Sequence, residues 1–124
     1  MAFGYQILGF GSGGAAAVPY KIDMLLVAGG GTGSGPHGAG GGAGGYRSLT
    51  GHELTPAVAY TVTVGTGGAA QSGAGIKGVN SSFDGTGFPA TLSSTGGGPG
   101  AGGGGSGGSG GGAQAPSSYG ATSN

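Results

Sequence analysis

The sequence predicts an all-β fold with glycine-rich polyproline II (polyglycine II) segments and no helix, stabilised by homo-oligomerisation. Glycine supplies 39 of the 124 residues. No window of a dozen residues avoids glycine, proline or β-branched clusters, so a helix is not expected. Two apolar segments have strand character, and a run of seventeen residues, 96–112, contains thirteen glycines and no charge. Cysteine is absent, so packing, backbone hydrogen bonds or a partner must stabilise so small a domain.

The composition excludes several classes of protein. Collagen needs a strict Gly-X-Y register and abundant proline, whereas GGTGSGPHGAGGGAGGYR breaks the register and only 6 prolines are present. Disordered chains combine low hydrophobicity with high net charge, but here 3 acids balance 3 bases. The same balance gives no basic footprint for nucleic acid, and no apolar run reaches the length of a membrane span. Near-zero net charge favours self-association.

The chain divides into three regions by composition. Residues 1–20 form an apolar leader, interpreted as a docking segment, whose candidate docking residues are Phe3, Tyr5 and Phe10. We expect these side chains to lie against other chains, because so small a domain cannot cover them. Residues 21–95 form a glycine-rich β domain, and residues 96–124 form the polyglycine run with a polar tail.

Four segments are predicted to be strands. IDMLLVA (22–28) is a continuous apolar run stopped by glycines, and AYTVTV (59–64) alternates with a period of two. Weaker candidates are VNSSF (79–83) and TLSS (91–94). The predicted strand core consists of Leu26, Tyr60, Val62 and Val64. Val62 and Val64 are expected to point inward, with Thr61 and Thr63 on the other face.

The glycine run 96–112 is compatible with a flexible coil or with packed polyproline II. We predict the ordered form, packed against neighbouring backbones. Ordering glycine is entropically costly, so the run must exchange hydrogen bonds with residues 29–45 or with other subunits.

The sequence offers little catalytic chemistry. Asp23, Glu53 and Asp84 lie in different segments, and His37 and His52 do not have metal-ligand spacing. We therefore expect no enzyme activity, no catalytic residue, no metal site and no cofactor. Tyr46, Arg47 and Tyr119 are weak candidates for receptor contact, because an aromatic face and a fork of donors suit carbohydrate. For Tyr46 and Arg47 the preferred interpretation is structural: Tyr46 caps the strand core, and Arg47 reaches solvent.

The order of motifs resembles the glycine-rich domain of bacteriophage tail and tail-fibre proteins. The motifs that carry the resemblance are, in order, IDMLLVAGGGTG (22–33), GGGAGGYR (40–47), YTVTVGTGG (60–68), NSSF (80–83) and the glycine run. The leader MAFGYQILGFGSGG also resembles the start of short structural proteins of marine phages. Unlike a complete fibre, the chain has no long shaft or large anchor domain.

The resemblance implies a virion structural protein, in a fibre, spike or tail-fibre tip that contributes to host adsorption. The expected partners are the chain itself, with a trimer as first choice, other virion proteins through residues 1–20, and a host surface glycan or protein. No nucleic acid partner and no membrane span are expected. The expected location is the virion surface, after synthesis in the host cytoplasm without a signal peptide. The alternatives are a head-decoration or filament subunit with a mechanical role, and a polyglycine II ice-binding protein.

Overall fold

The computed structural model describes residues 18–35, 38–85, 88, 90–101 and 104–113. Over these residues the fold is all-β without a helix, as predicted. The strands are β1 (Tyr20–Val27), β2 (Tyr46–Leu54), β3 (Tyr60–Thr63), β4 (Ser81–Gly85) and β5 (Leu92–Ser94). Each of the four predicted strands overlaps an observed one, whereas β2 was not predicted.

The strands form two small antiparallel sheets. The strands β1 and β2 pair alone, and the second sheet has the order β3-β4-β5. The register of β1 and β2 shifts between Ile22 and Met24. There, Gly51 has φ of 65°, and its amide donates to the Asp23 carboxylate at 2.7 Å. A glycine with positive φ is typical of a β-bulge.

Most of the remaining described chain consists of glycine-rich segments that hydrogen-bond to one another through the backbone. We number them g1 (28–35), g2 (38–45), g3 (65–68), g4 (73–79), g5 (95–101) and g6 (108–112). The buried glycines are concentrated here, for example Gly42, Gly78 and Gly97. Glycine is required where backbones approach this closely: a Cβ on Gly78 would overlap the carbonyl of Gly29.

The hydrogen bonds between these segments repeat every three residues. In g1, the amides of residues 28, 31 and 34 donate to carbonyls of g2 at residues 45, 42 and 39, at 2.8–3.0 Å. The amides of residues 29, 32 and 35 donate to g4 at residues 79, 76 and 73, at 2.9–3.1 Å. A β-strand would repeat every two residues, whereas polyproline II has three residues per turn. The polyproline II conformation itself stays a prediction.

The bonds arrange the segments in two layers. One layer has the order g3-g1-g2, and the other has the order g4-g5-g6. Every pair of neighbouring segments, within and between layers, shares at least one backbone hydrogen bond. The central segment g5, for example, donates to g1 through Gly97 and Gly100, and accepts from g4 through Gly78 and from g2 through Gly42. We call this body the glycine array.

All five strands lie at one end of the glycine array. The segments g1 and g2 are antiparallel, g4 is antiparallel to g1, and g5 is parallel to g1, as their hydrogen-bond order shows. Gly65 and Gly68 lie beside the carbonyls of Val79 and Ile76, so g3 is antiparallel to g4. The chain therefore enters the array from β1, β3 and β5 and leaves it into β2 and β4, and all five junctions lie at the same end.

The run 96–112 was expected to bond to residues 29–45 or to other subunits, and its described residues do bond to that segment: Gly97 donates to Gly29, and Gly98 accepts from Gly42. One expectation about packing needs correction. Val62 and Val64 were expected to point inward, but they are 66% and 79% exposed. Both residues border an open groove between the two sheets and not a closed core. Leu26 is buried as predicted, and Tyr60 is half-buried.

Candidate assembly and recognition surfaces

Exposed apolar side chains gather where the strands meet the glycine array. Leu25 and Val27 on β1 are 57% and 52% exposed, and Tyr46, the first residue of β2, is 70% exposed. Val27 and Tyr46 are direct partners in the antiparallel register, so they share one face of the sheet. Together with Val62 and Val64 they leave apolar surface open to a partner, which is typical of interaction sites.

A groove of about 380 Å³ separates β1 from the β3–β4 sheet. It is lined by Met24–Val27, Val62–Val64 and Ser81–Phe83. The buried Ser81 hydroxyl fixes its floor: it donates to the carbonyl of Val27 at 2.6 Å and accepts from the amide of Gly65 at 2.9 Å. The lining contains no charged residue, so the groove suits an uncharged, largely apolar occupant.

Tyr46 and Arg47 are the first two residues of β2, and both line one small cavity. The Arg47 guanidinium donates to the carbonyl of Ser93 at 3.4 Å, towards β5. The cavity, of about 210 Å³, is also lined by Ser94, whose buried hydroxyl has no partner among the described residues. Receptor contact by Tyr46 and Arg47 stays a prediction.

An aromatic cluster connects the two sheets. The rings of His52 and Phe88 stack with centroids 4.4 Å apart, and those of Tyr60 and Phe83 stack at 5.5 Å. Phe83 and Phe88 meet edge to face at 5.3 Å. All four side chains are half-buried. Sequence reasoning missed the cluster, because no local pattern predicts that His52 of β2 contacts Phe88, which follows β4.

The described acidic side chains have local partners. Besides the Asp23 contact, Glu53 pairs with Lys21 at 3.5 Å on the surface, and Asp84 accepts from the amide of Gly85 at 2.9 Å. No three His, Cys, Asp or Glu side chains come close enough to hold a metal ion in the part of the chain that is described. A helix long and apolar enough to cross a membrane is likewise absent from that part.

Several candidate residues lie outside the described residues. These are Phe3, Tyr5 and Phe10 of the leader, His37, and Tyr119 of the polar tail. Their predicted roles stay predictions.

The cross-bonded segments and the strands at their end define a glycine-rich, all-β domain. Residues 8–124 match the family described as glycine-rich domain, and the chain belongs to this family. No curated protein and no solved structure matches the chain. The family match supports the glycine-rich part of the resemblance drawn from the order of motifs.

Proposed function

We propose that this protein is a structural component of a phage particle, in a fibre, spike or tail-fibre tip, where it contributes to host adsorption. The proposal combines the motif order, which resembles phage tail proteins, with the architecture of the glycine array. It assigns the protein a mechanical and recognition role rather than catalysis.

The observation that carries the proposal is the cross-bonding of the glycine segments. Ordering each glycine costs about 1–2 kcal/mol in backbone entropy, and each net hydrogen bond contributes roughly 0.5–1.5 kcal/mol. Isolated extended glycine would therefore not stay ordered. In the array, g5 bonds to g1, g2, g4 and g6 at once. Such a body resists bending and gives a stiff mount of the kind that a particle surface needs.

The strand end of the array supplies the surface for recognition. Tyr46 is exposed there, and the half-exposed rings of the aromatic cluster lie on the same set of strands. Aromatic side chains are enriched at binding surfaces, because they bury large areas at low entropic cost. We propose this end as the part that faces the host surface, with a glycan or protein as the receptor.

Gold-labelled antibodies against the purified chain test the location. Phage particles that contain this protein should be labelled at the tail tip or on the fibres. Labelling of the head would favour the decoration alternative, and labelling of free filaments would favour the filament alternative.

Purified chain added before infection should also lower the adsorption rate, and Tyr46→Ala should weaken this competition. A control, Ala74→Ser, changes an exposed residue of g4 and should compete like the original chain.

One observation favours the ice-binding alternative as a second candidate. On the g3-g1-g2 layer, the Cβ positions of Gly30, Gly40 and Gly67 have open space or only distant contacts at 3.5–3.6 Å. Ala43 is exposed beside them. This face therefore carries only small side chains, as a surface that orders water would. Thermal hysteresis of the purified chain tests it, and freezing without hysteresis would discard this candidate.

A further inference from the structure

We infer that the groove between β1 and the β3–β4 sheet receives the leader, residues 1–10, of a second copy of this chain. The inference concerns assembly and does not depend on host adsorption. It assigns an occupant to an apolar groove that is open among the described residues.

The groove and the leader match in chemistry. The groove lining carries no charged side chain, and residues 1–17 contain no Asp, Glu, Lys or Arg. Phe3, Tyr5 and Ile7 recur at every second residue. In an extended chain they would therefore lie on one face, about 6.6 Å apart. The exposed pairs Leu25/Val27 and Val62/Val64 have the same spacing along the groove walls.

The shape of the surface favours a narrow segment over a second identical face. Two copies of the groove placed face to face would enclose a void, because concave surfaces do not fill one another. An extended segment with alternating large side chains can enter the groove. The edge strands β1 and β3 border it, and an extended segment can add hydrogen bonds to such an edge.

The path of the chain favours the leader of another copy. Pro19 holds the preceding Val18 in an extended conformation, and β1 begins at Tyr20. Val18 and Pro19 therefore continue the line of β1 away from Met24–Val27, which line the groove at the other end of the strand. Residues 1–17 can extend roughly 55–60 Å, enough to reach a neighbouring molecule.

The test measures association of the full chain by light scattering over a concentration series. The variant Phe3→Ser/Tyr5→Ser should raise the dissociation constant at least about tenfold, and Val62→Ser/Val64→Ser should do the same. The second change spares the packed core, because Val62 and Val64 are exposed. Val64→Asp should abolish association. The control is Ala74→Ser, at the end of g4 that lies away from the strands. It should leave the dissociation constant unchanged.

Cysteine cross-linking tests the contact directly, because the chain has no cysteine of its own. A mass-tagged Tyr5→Cys chain mixed with an untagged Val64→Cys chain should give the mixed disulfide dimer. Tyr5→Cys mixed with Ala74→Cys should give much less. A dissociation constant that the leader substitutions leave unchanged would overturn the inference. So would a Tyr5→Cys/Val64→Cys chain that closes only within itself, or a groove filled by a co-purifying small molecule.

Discussion

At the residue scale, individual glycines serve different purposes. Gly78 is buried between the layers, its amide donates to the carbonyl of Gly97 at 2.9 Å, and a Cβ there would overlap Gly29. Gly40 is exposed, and a Cβ there would have nothing within 4 Å. Gly104 has φ of 73°, a conformation that β-branched residues rarely adopt. Only the three-dimensional setting distinguishes these identical residues.

Gly78→Ala and Gly40→Ala form a matched pair, because the same methyl group is added and the unfolded chain gains the same restriction. Gly78→Ala should lower the free energy of unfolding by about 1–3 kcal/mol through overpacking. Gly40→Ala should leave it unchanged or raise it by up to about 1 kcal/mol. Urea unfolding followed by tyrosine fluorescence measures both. Equal effects would show that the interior of the array is not closely packed.

A second pair lies within the glycine run. Gly104→Val should destabilise the fold by about 1–3 kcal/mol, because valine is strained at positive φ. Ser106→Val, at an exposed position of the same run, should change the free energy of unfolding by no more than about 0.5 kcal/mol. Thermal melts of the two variants give the comparison. If Gly104→Val left the free energy of unfolding unchanged, residues 104–106 would be flexible and not ordered.

At the element scale, the repeat of three predicts a pattern of amide protection. In g1, residues 28, 29, 31, 32, 34 and 35 donate to backbone carbonyls, whereas Gly30 and Gly33 have no acceptor among the described residues. Protection should therefore fail at every third amide, since unbonded amides exchange quickly. Hydrogen exchange followed by NMR measures this directly. Protection at every second amide would indicate a β-strand and would exclude polyproline II for g1.

At the scale of the whole molecule, the glycine array and the strands form one connected body. The structure describes the run 96–112 except for residues 102 and 103. The run bonds to g1, g2 and g4, and β5 leads directly into g5. A flexible tether would instead behave independently of the sheets. Connected elements of this size are expected to unfold together.

We therefore expect a single unfolding transition. The amides of Gly97, Gly98 and Gly100 should lose protection at the urea concentration at which the fluorescence of Tyr60, stacked on Phe83, changes. NMR and fluorescence titrations of one sample make the comparison. Earlier loss of the g5 amides would show that the run is a separate, weaker unit.

The sequence by itself determined the all-β class, the approximate positions of β1, β3, β4 and β5, and the need of residues 96–112 for backbone partners. These features follow from local patterns: apolar or alternating runs, glycine stops, and the entropy of glycine. Only the tertiary structure decided which segments bond to which, that YRSLTGHEL (46–54) forms β2, that His52 stacks on Phe88, and that Val62 and Val64 remain exposed. The physical reason is that glycine has no side chain, so its sequence does not show which segment it pairs with. Segments of nearly identical composition pair through backbone hydrogen bonds, and these form only when the whole array is assembled.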